Sequence, residues 1–201
     1  MRVMIFRTSF ARQRIRRTQI NLTHLNTFAI RSWVKKFIIA WSIQAKSDRL
    51  LARTGRKIDC AVGSDKKQIL HMRFEEAAYA ARSLKALPWV DERRLILAGH
   101  SEGGVTAALY PGDEYAARII LGWTCTSGDS WWSGIRGPSK TPVLAVVGSE
   151  DHYYRNKYNA GHCSVAGRPN SKSVVLKGSG HDIFPLPQTW AAVEEFLKLT
   201  P

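Results

Sequence analysis

The most constraining feature of the sequence is the stretch 95–104, which reads LILAGHSEGG. Its apolar first half, closed by glycine, is typical of a central strand in a parallel sheet. The G-x-S-x-G pattern that follows is typical of a sharp strand-to-helix turn that exposes a serine, here Ser101. Glycine at the flanking positions lets the strand and the helix approach closely. The pattern therefore predicts a nucleophilic serine, and the alternative is a glycine-rich turn that carries serine by chance.

The positive charge of the chain is concentrated near its N-terminus. The net charge is +14, and residues 1–60 hold fourteen Lys and Arg against two Asp. Residues 61–201 hold sixteen Lys and Arg against fourteen Asp and Glu. Because this larger part is nearly neutral, the composition does not predict nucleic-acid binding by the whole protein. No stretch of about 18 apolar residues is present, so the sequence predicts no membrane-spanning helix.

The three cysteines, Cys60, Cys125 and Cys163, lie far apart and form no C-x-x-C pair. This spacing favours neither a metal site nor a redox dithiol, and we expect no metal and no cofactor. One disulfide is possible, for which we favour Cys125 and Cys163. The odd count leaves at least one free thiol.

Residues 1–47 contain no acidic residue and therefore differ in composition from the rest of the chain. Apolar residues recur at helical spacing between Ile30 and Trp41, with basic residues between them, which predicts a basic amphipathic helix. Three interpretations remain open for this segment. The first is a targeting segment, since such segments are typically Arg-rich and acid-poor. The second is a segment that lies on an anionic membrane surface. The third, which we favour, is a replaced or misassigned start.

From residue 48 onward the pattern predicts strands that alternate with helices. The predicted strands cover 94–98, 118–123, 142–147 and 173–176, and the predicted helices cover 69–87, 104–110 and 189–199. Such alternation is typical of a parallel sheet with helices on both faces. We therefore expect a basic, poorly ordered or amphipathic-helical segment over residues 1–47. Residues 48–201 are expected to form a doubly wound, mostly parallel α/β domain.

Three of the predicted strands are followed by residues suited to nucleophilic catalysis, namely Ser101, Asp151 and His181. In a parallel sheet, reactive side chains gather just past the carboxyl ends of the strands. Ser101 is the candidate nucleophile, His181 the candidate general base and then general acid, and Asp151 the carboxylate that orients the histidine. The backbone N–H of Glu102 is the candidate donor to the oxyanion.

Other residues compete for these roles or border them. Glu150 is an alternative acid, and His152 and His162 are alternative bases, although both precede the last strand. We interpret His100 as a packing residue. Four aromatic residues of the loops are candidates to line a substrate pocket, with ordinary loop packing as the alternative. They are Trp131, Trp132, Tyr153 and Tyr154.

The motifs around these residues resemble the α/β-hydrolase superfamily and, within it, a serine-nucleophile branch of the dienelactone hydrolase family. They are RFEEAAYA at 73–80, PWVD at 88–91, GHSEGG at 99–104, GWTC at 122–125, VGSED at 147–151 and GHD at 180–182. The resemblance covers about residue 48 to the end. Dienelactone hydrolase itself uses cysteine where this chain has Ser101. The resemblance therefore implies ester hydrolysis and leaves the dienelactone substrate open.

The N-terminal part departs from this family. Family members have several strands before the helix predicted at 69–87, including one whose following loop supplies a second oxyanion N–H, and residues 1–47 show neither. We therefore expect an N-terminally truncated α/β-hydrolase fold. The first hypothesis is a serine hydrolase that cleaves a small-molecule carboxylic ester or related acyl substrate through an acyl-enzyme. The second is a truncated hydrolase-like protein that is inactive or serves as an interaction module.

Overall fold

The computed structural model describes residues 38–42, 63–153 and 162–200 of the chain. In chain order the elements are β1 (Ile38–Ser42), α1 (Gly63–Lys85), β2 (Leu95–His100), α2 (Glu102–Leu109), β3 (Ala117–Leu121), β4 (Val143–Gly148), β5 (Lys172–Leu176) and α3 (Pro187–Leu199). The described residues also include two short 3₁₀ helices, Glu92–Arg94 and Ser130–Trp132. Among these helices, none is both long and apolar enough to cross a membrane.

The strands of the described residues form one parallel sheet in the order β1-β2-β3-β4-β5. Gly99, at the end of β2, pairs with Ser42 of β1 on one side and with Ile120 of β3 on the other. Because every strand runs in the same direction, their carboxyl ends lie along one edge. The predicted α/β fold with a parallel sheet and flanking helices is confirmed.

Alternating side chains on β2 fill two cores on opposite faces of the sheet. Leu95 and Leu97 belong to the core that contains residues of α1 and α2. Ile96 belongs to the other core, which contains Val193 and Phe196 of α3. Strands β3 and β4 are buried along their whole length, as expected for parallel strands covered on both faces.

Strand β1 corrects one prediction about the N-terminal segment. A helix was predicted between Ile30 and Trp41, but Ile38–Ser42 is a strand paired with β2. Its sequence, IIAWS, is a short apolar run with two β-branched residues, and such a run suits either a helix or a buried strand until a neighbouring strand is known. The expectation that residues 1–47 contain no strand of the sheet is therefore wrong at this position. Residues 30–37 lie outside the described residues.

A buried arginine fixes the C-terminal end of α2 against β3. Arg118 of β3 is fully buried and donates to the carbonyl oxygens of Ala107, at 2.9 Å, of Tyr110, and of Gly112, at 2.7 Å. Burial, together with the positive charge of Arg168, lowers the pKa of Arg118 to about 10. This end of α2 is opposite to the end that Ser101 precedes.

Candidate active site

The turn between β2 and α2 holds Ser101 in a strained backbone conformation. Ser101 has a φ of 56° and a ψ of −118°, which lies outside the regions that L-residues ordinarily adopt. Its N–H donates to the carbonyl oxygen of Leu121 at 2.9 Å, and its own carbonyl oxygen accepts from the N–H of Val105 at 3.0 Å. These two bonds tie the turn to β3 and to the first turn of α2, so the surrounding structure maintains the strain.

Two glycines allow the backbones to meet at this turn. A Cβ atom on Gly99 would lie 2.0 Å from the carbonyl oxygen of Gly103, and one on Gly104 would lie 2.7 Å from the carbonyl oxygen of Leu121. Both neighbouring atoms belong to the backbone, so neither can move aside as a flexible side chain would. The close strand-to-helix approach predicted from the G-x-S-x-G pattern is therefore present in the fold.

His181 lies between the side chains of Ser101 and Asp151. Its Nε2 is 3.0 Å from Oγ of Ser101, and its Nδ1 is 2.7 Å from Oδ2 of Asp151. An ionised carboxylate can only accept, so Nδ1 carries a proton and donates it to Asp151. In the neutral imidazole, Nε2 is then the acceptor for the serine hydroxyl. The three residues singled out in the sequence follow β2, β4 and β5, and their side chains meet at the carboxyl edge of the sheet.

Asp151 is fully buried, and both of its oxygens have partners. Oδ2 accepts from His181, and Oδ1 accepts from the backbone N–H of Tyr153 at 2.8 Å. A buried carboxylate is costly unless hydrogen bonds satisfy it. The two bonds therefore hold the carboxylate in a fixed orientation toward His181.

The competing acid and bases occupy other positions. Glu150 is exposed, and the His152 side chain is 68% exposed, with its Nδ1 3.9 Å from Oδ1 of Asp151. His162 is also exposed. Among the histidines that the structure describes, His181 is the one that hydrogen-bonds Ser101. Within the same described residues, no group of three or more His, Cys, Asp or Glu is placed to hold a metal ion.

His100 does more than pack, contrary to the interpretation from the sequence. Its Nε2 lies 2.9 Å from the backbone carbonyl oxygen of His181, and Nε2 is the donor because a carbonyl oxygen only accepts. Gly122 provides the room for this ring, since a Cβ at Gly122 would lie 2.8 Å from Nε2. The residue before Ser101 therefore fixes the backbone of the loop that carries His181.

A buried ion-pair network links α1 to the residue after Ser101. Arg73 is 2% exposed, and its Nε lies 2.8 Å from Oε1 of Glu102 while its Nη1 lies 2.7 Å from Oε2 of Glu76. Burial lowers the pKa of Arg73, but the carboxylates of Glu76 and Glu102 outweigh burial and raise this pKa above its ordinary value. Sequence reasoning missed this network. The sequence did contain a signal for it, because Arg73 lies at helical spacing from the apolar residues Leu70 and Ala77 and therefore on the apolar face of the helix.

The two tryptophans predicted to border the site lie in the loop between β3 and β4. Trp131 and Trp132 pack against a cluster that includes Leu70 of α1 and Val105 of α2. Val105 is also the residue whose N–H bonds the carbonyl oxygen of Ser101. The tryptophans therefore contact the cluster that supports the turn.

Of the two tyrosines predicted at the pocket, Tyr153 is described and Tyr154 lies outside the described residues. The ring centroid of Tyr153 is 5.2 Å from that of His181, and Tyr153 is 46% exposed. The ring of His152 contacts that of Tyr153 in a tilted arrangement, with a centroid distance of 3.9 Å and an interplanar angle of 40°. An aromatic surface that is open to solvent thus lies beside the imidazole.

A disulfide joins two loops of the fold. Cys125, just after β3, is bonded to Cys163, in the connection between β4 and β5, and their Cα atoms are 4.7 Å apart. Both residues are buried. The pairing favoured from the sequence is confirmed, and Cys60 lies outside the described residues.

Among the known proteins compared with this chain, the similar ones are all solved structures. No protein-family model matches the chain, and no curated protein matches it. Esterase PE8 is 19% identical with a TM-score of 0.46, and the match covers 78% of this chain and 67% of that one. Est1E from Butyrivibrio proteoclasticus is 21% identical with a TM-score of 0.46, covering 65% and 70% of the two chains. SOBER1 from Arabidopsis thaliana is 19% identical with a TM-score of 0.36, covering 72% and 67%.

Proposed function

We propose that this protein is a serine hydrolase of the α/β-hydrolase type, which cleaves a carboxylic ester or a related acyl substrate through an acyl-enzyme. The observation that carries the proposal is the position of His181, with Nε2 3.0 Å from Ser101 and Nδ1 2.7 Å from Asp151. The strained turn at Ser101 and the chain order Ser, Asp, His support it, because both are features of α/β-hydrolases. The narrower kinship with dienelactone hydrolases rests on sequence motifs alone.

In the first half-reaction, Oγ of Ser101 attacks the carbonyl carbon of the ester, and the hydroxyl proton passes to Nε2 of His181. The buried carboxylate of Asp151 stabilises the imidazolium that forms. When the tetrahedral intermediate collapses, the carbon–oxygen bond to the alcohol breaks and His181 returns its proton to the leaving oxygen. The products of this half-reaction are a free alcohol and an acyl group on Ser101.

In the second half-reaction, a water molecule replaces the alcohol. His181 accepts a proton from this water while its oxygen attacks the acyl carbon. The second tetrahedral intermediate collapses with cleavage of the bond to Ser101, whose Oγ regains a proton from His181. The carboxylic acid leaves, and the resting state of the three side chains is restored.

Each tetrahedral intermediate carries a negative oxygen that needs hydrogen-bond donors. We propose the backbone N–H of Glu102 as one donor, since it belongs to the residue that follows Ser101. In α/β-hydrolases a second N–H comes from the loop after an earlier strand. Strand β1 offers that origin here, because its last residue, Ser42, pairs with Gly99 at the edge where the Ser101 turn begins. The segment that follows Ser42 lies outside the described residues.

The aromatic residues around the site favour a substrate with an apolar acyl or alcohol group. Tyr153 lies beside His181, and we propose that it lines the pocket together with Trp131 and Trp132. The same role for Tyr154 remains a prediction from the sequence. Aromatic side chains bury a large apolar area at low cost in side-chain entropy, which suits them to this role.

The proposal is tested by turnover of p-nitrophenyl esters of increasing acyl length. We expect wild-type hydrolysis well above the buffer background, and loss of that activity in Ser101→Ala and in His181→Ala. Ser139→Ala and His162→Ala are matched controls, because they change exposed residues of the same types. Background rates in a folded wild-type protein would contradict the proposal and favour an inactive hydrolase-like protein.

A further inference from the structure

Glu102, the residue after the proposed nucleophile, carries a negative charge close to the proposed oxyanion hole, where a second negative charge is unfavourable. Glu102 follows Ser101 directly, and its side chain is 25% exposed. The backbone N–H of Glu102 is the proposed oxyanion donor, so its carboxylate lies within one side-chain length of the N–H that would bind the developing negative charge. Like charges repel more strongly where water is partly excluded. An uncompensated Glu102 would therefore raise the energy of the transition state.

Arg73 lies in the position to compensate this charge. Its Nε is 2.8 Å from the Glu102 carboxylate, across 29 residues of sequence and from a different helix. Glu76, one turn along α1, accepts from Nη1 of the same guanidinium at 2.7 Å. Charge-assisted bonds of this kind fix the orientation of a guanidinium plane. Glu76 thereby keeps Nε of Arg73 directed toward Glu102.

We propose that Arg73 is a positioning residue of the active site, which cancels the negative charge of Glu102 beside the developing oxyanion. The inference rests on the proposed function, because it takes the N–H of Glu102 as an oxyanion donor. Arg73 does not touch the substrate and acts through Glu102. Because acylation and deacylation both pass through an oxyanion, the rates of both steps are the quantities that it controls.

A purely mechanical role is the competing account, in which the ion pair only joins α1 to α2. The two accounts differ in the effect of Glu102→Gln. Under charge compensation, this substitution leaves the guanidinium less neutralised and favours the oxyanion, so kcat rises. Under the mechanical account, it weakens the bond between the helices and kcat falls with stability.

The test compares Arg73→Gln, Glu102→Gln and the double variant. Turnover of p-nitrophenyl acetate gives kcat and KM. The labelling rate with a fluorophosphonate probe, in which Ser101 attacks phosphorus and fluoride leaves, reports nucleophilic attack by the serine without a known substrate. We expect Arg73→Gln to lower kcat roughly 10- to 100-fold with KM nearly unchanged, because a unit charge then stands unpaired near the oxyanion. The double variant should recover most of this loss, and Glu102→Gln alone should raise kcat by roughly 2- to 10-fold.

Arg118→Met is the matched control, since it removes a buried guanidinium at the other end of α2. It is expected to lower the melting temperature without lowering kcat of the folded protein. A folded Arg73→Gln with wild-type kcat, or a double variant no better than Arg73→Gln, would overturn the inference. If Arg73→Gln does not fold, the kcat of Glu102→Gln distinguishes the two accounts. A value at or below that of the wild-type protein would contradict charge compensation. Wild-type protein without turnover or labelling would instead defeat the proposed function itself.

Discussion

Nε2 of His181 lies 3.0 Å from Oγ of Ser101, although 80 residues separate them in the sequence. The contact follows from the parallel sheet, because β2 and β5 run in the same direction and their following loops leave from the same edge. Gly148 brings the loop of His181 close to the end of β4, since a Cβ there would lie 2.2 Å from the carbonyl oxygen of Gly180. Small residues at strand ends thus determine whether the three side chains can meet.

The first prediction concerns the orienting carboxylate. Asp151→Asn should lower kcat by about 10⁴-fold, because an amide does not hold the imidazole in the tautomer that accepts from Ser101. Steady-state turnover of a p-nitrophenyl ester measures the effect. Asp182→Asn, an exposed change beside His181, is the control and should leave turnover near the wild-type value. A kcat for Asp151→Asn within tenfold of wild type would argue against the proposed role.

The second prediction concerns the hydrogen bond from His100 to the backbone of His181. His100→Leu removes the donor and should lower kcat by about 10-fold, because small displacements of His181, the proposed general base, are costly. His100→Gln retains a side-chain N–H and should lose less. Measuring kcat, KM and melting temperature for both variants distinguishes an effect on the position of His181 from an effect on the stability of the protein. Equal losses in the two variants would show that the hydrogen bond is not the relevant feature.

The third prediction concerns the strand-to-helix turn. Gly99→Ala should destabilise the protein by about 1–3 kcal/mol or more, because the added Cβ would overlap the backbone of Gly103. That change corresponds to a fall in melting temperature of roughly 2–4 °C per kcal/mol for a chain of this size. Gly180→Ala is the control, since a Cβ at that position meets no atom within 4 Å. Equal melting temperatures for the two variants would contradict the account of the turn.

The fourth prediction concerns the disulfide. Cys125 and Cys163 are 38 residues apart in sequence, and closing a loop of that length in the unfolded chain gives a stabilisation of about 4 kcal/mol. Replacing both cysteines by serine should lower the free energy of unfolding in urea by an amount of this order. A reductant should lower the stability of the wild-type protein and have no further effect on the double variant. Insensitivity of the wild-type protein to reduction would contradict a stabilising disulfide.

The sheet could be predicted from the sequence because its strands are short apolar runs with clear ends. The strand predicted at 118–123 is Ala117–Leu121 in the structure, and the one predicted at 142–147 is Val143–Gly148. Helix α1 begins at Gly63, six residues before its predicted start at residue 69. Its first turns carry mainly polar residues, which give no apolar periodicity to detect.

The features that the sequence did not predict depend on contacts between distant segments. Strand β1 is an apolar run whose conformation is decided by pairing with β2. The role of His100 depends on a carbonyl group 81 residues away. The charge of Arg73 on an apolar helix face indicated a buried partner, but spacing alone could not identify Glu102 as that partner.

The most direct test of the central claim is fluorophosphonate labelling of the purified protein, with the adduct located by mass spectrometry of the digested chain. These probes react with a serine that a neighbouring base activates. The account predicts one adduct, on Ser101, which is absent in Ser101→Ala and in His181→Ala and persists in His162→Ala. A folded wild-type protein without an adduct, or with an adduct on a different serine, would contradict it.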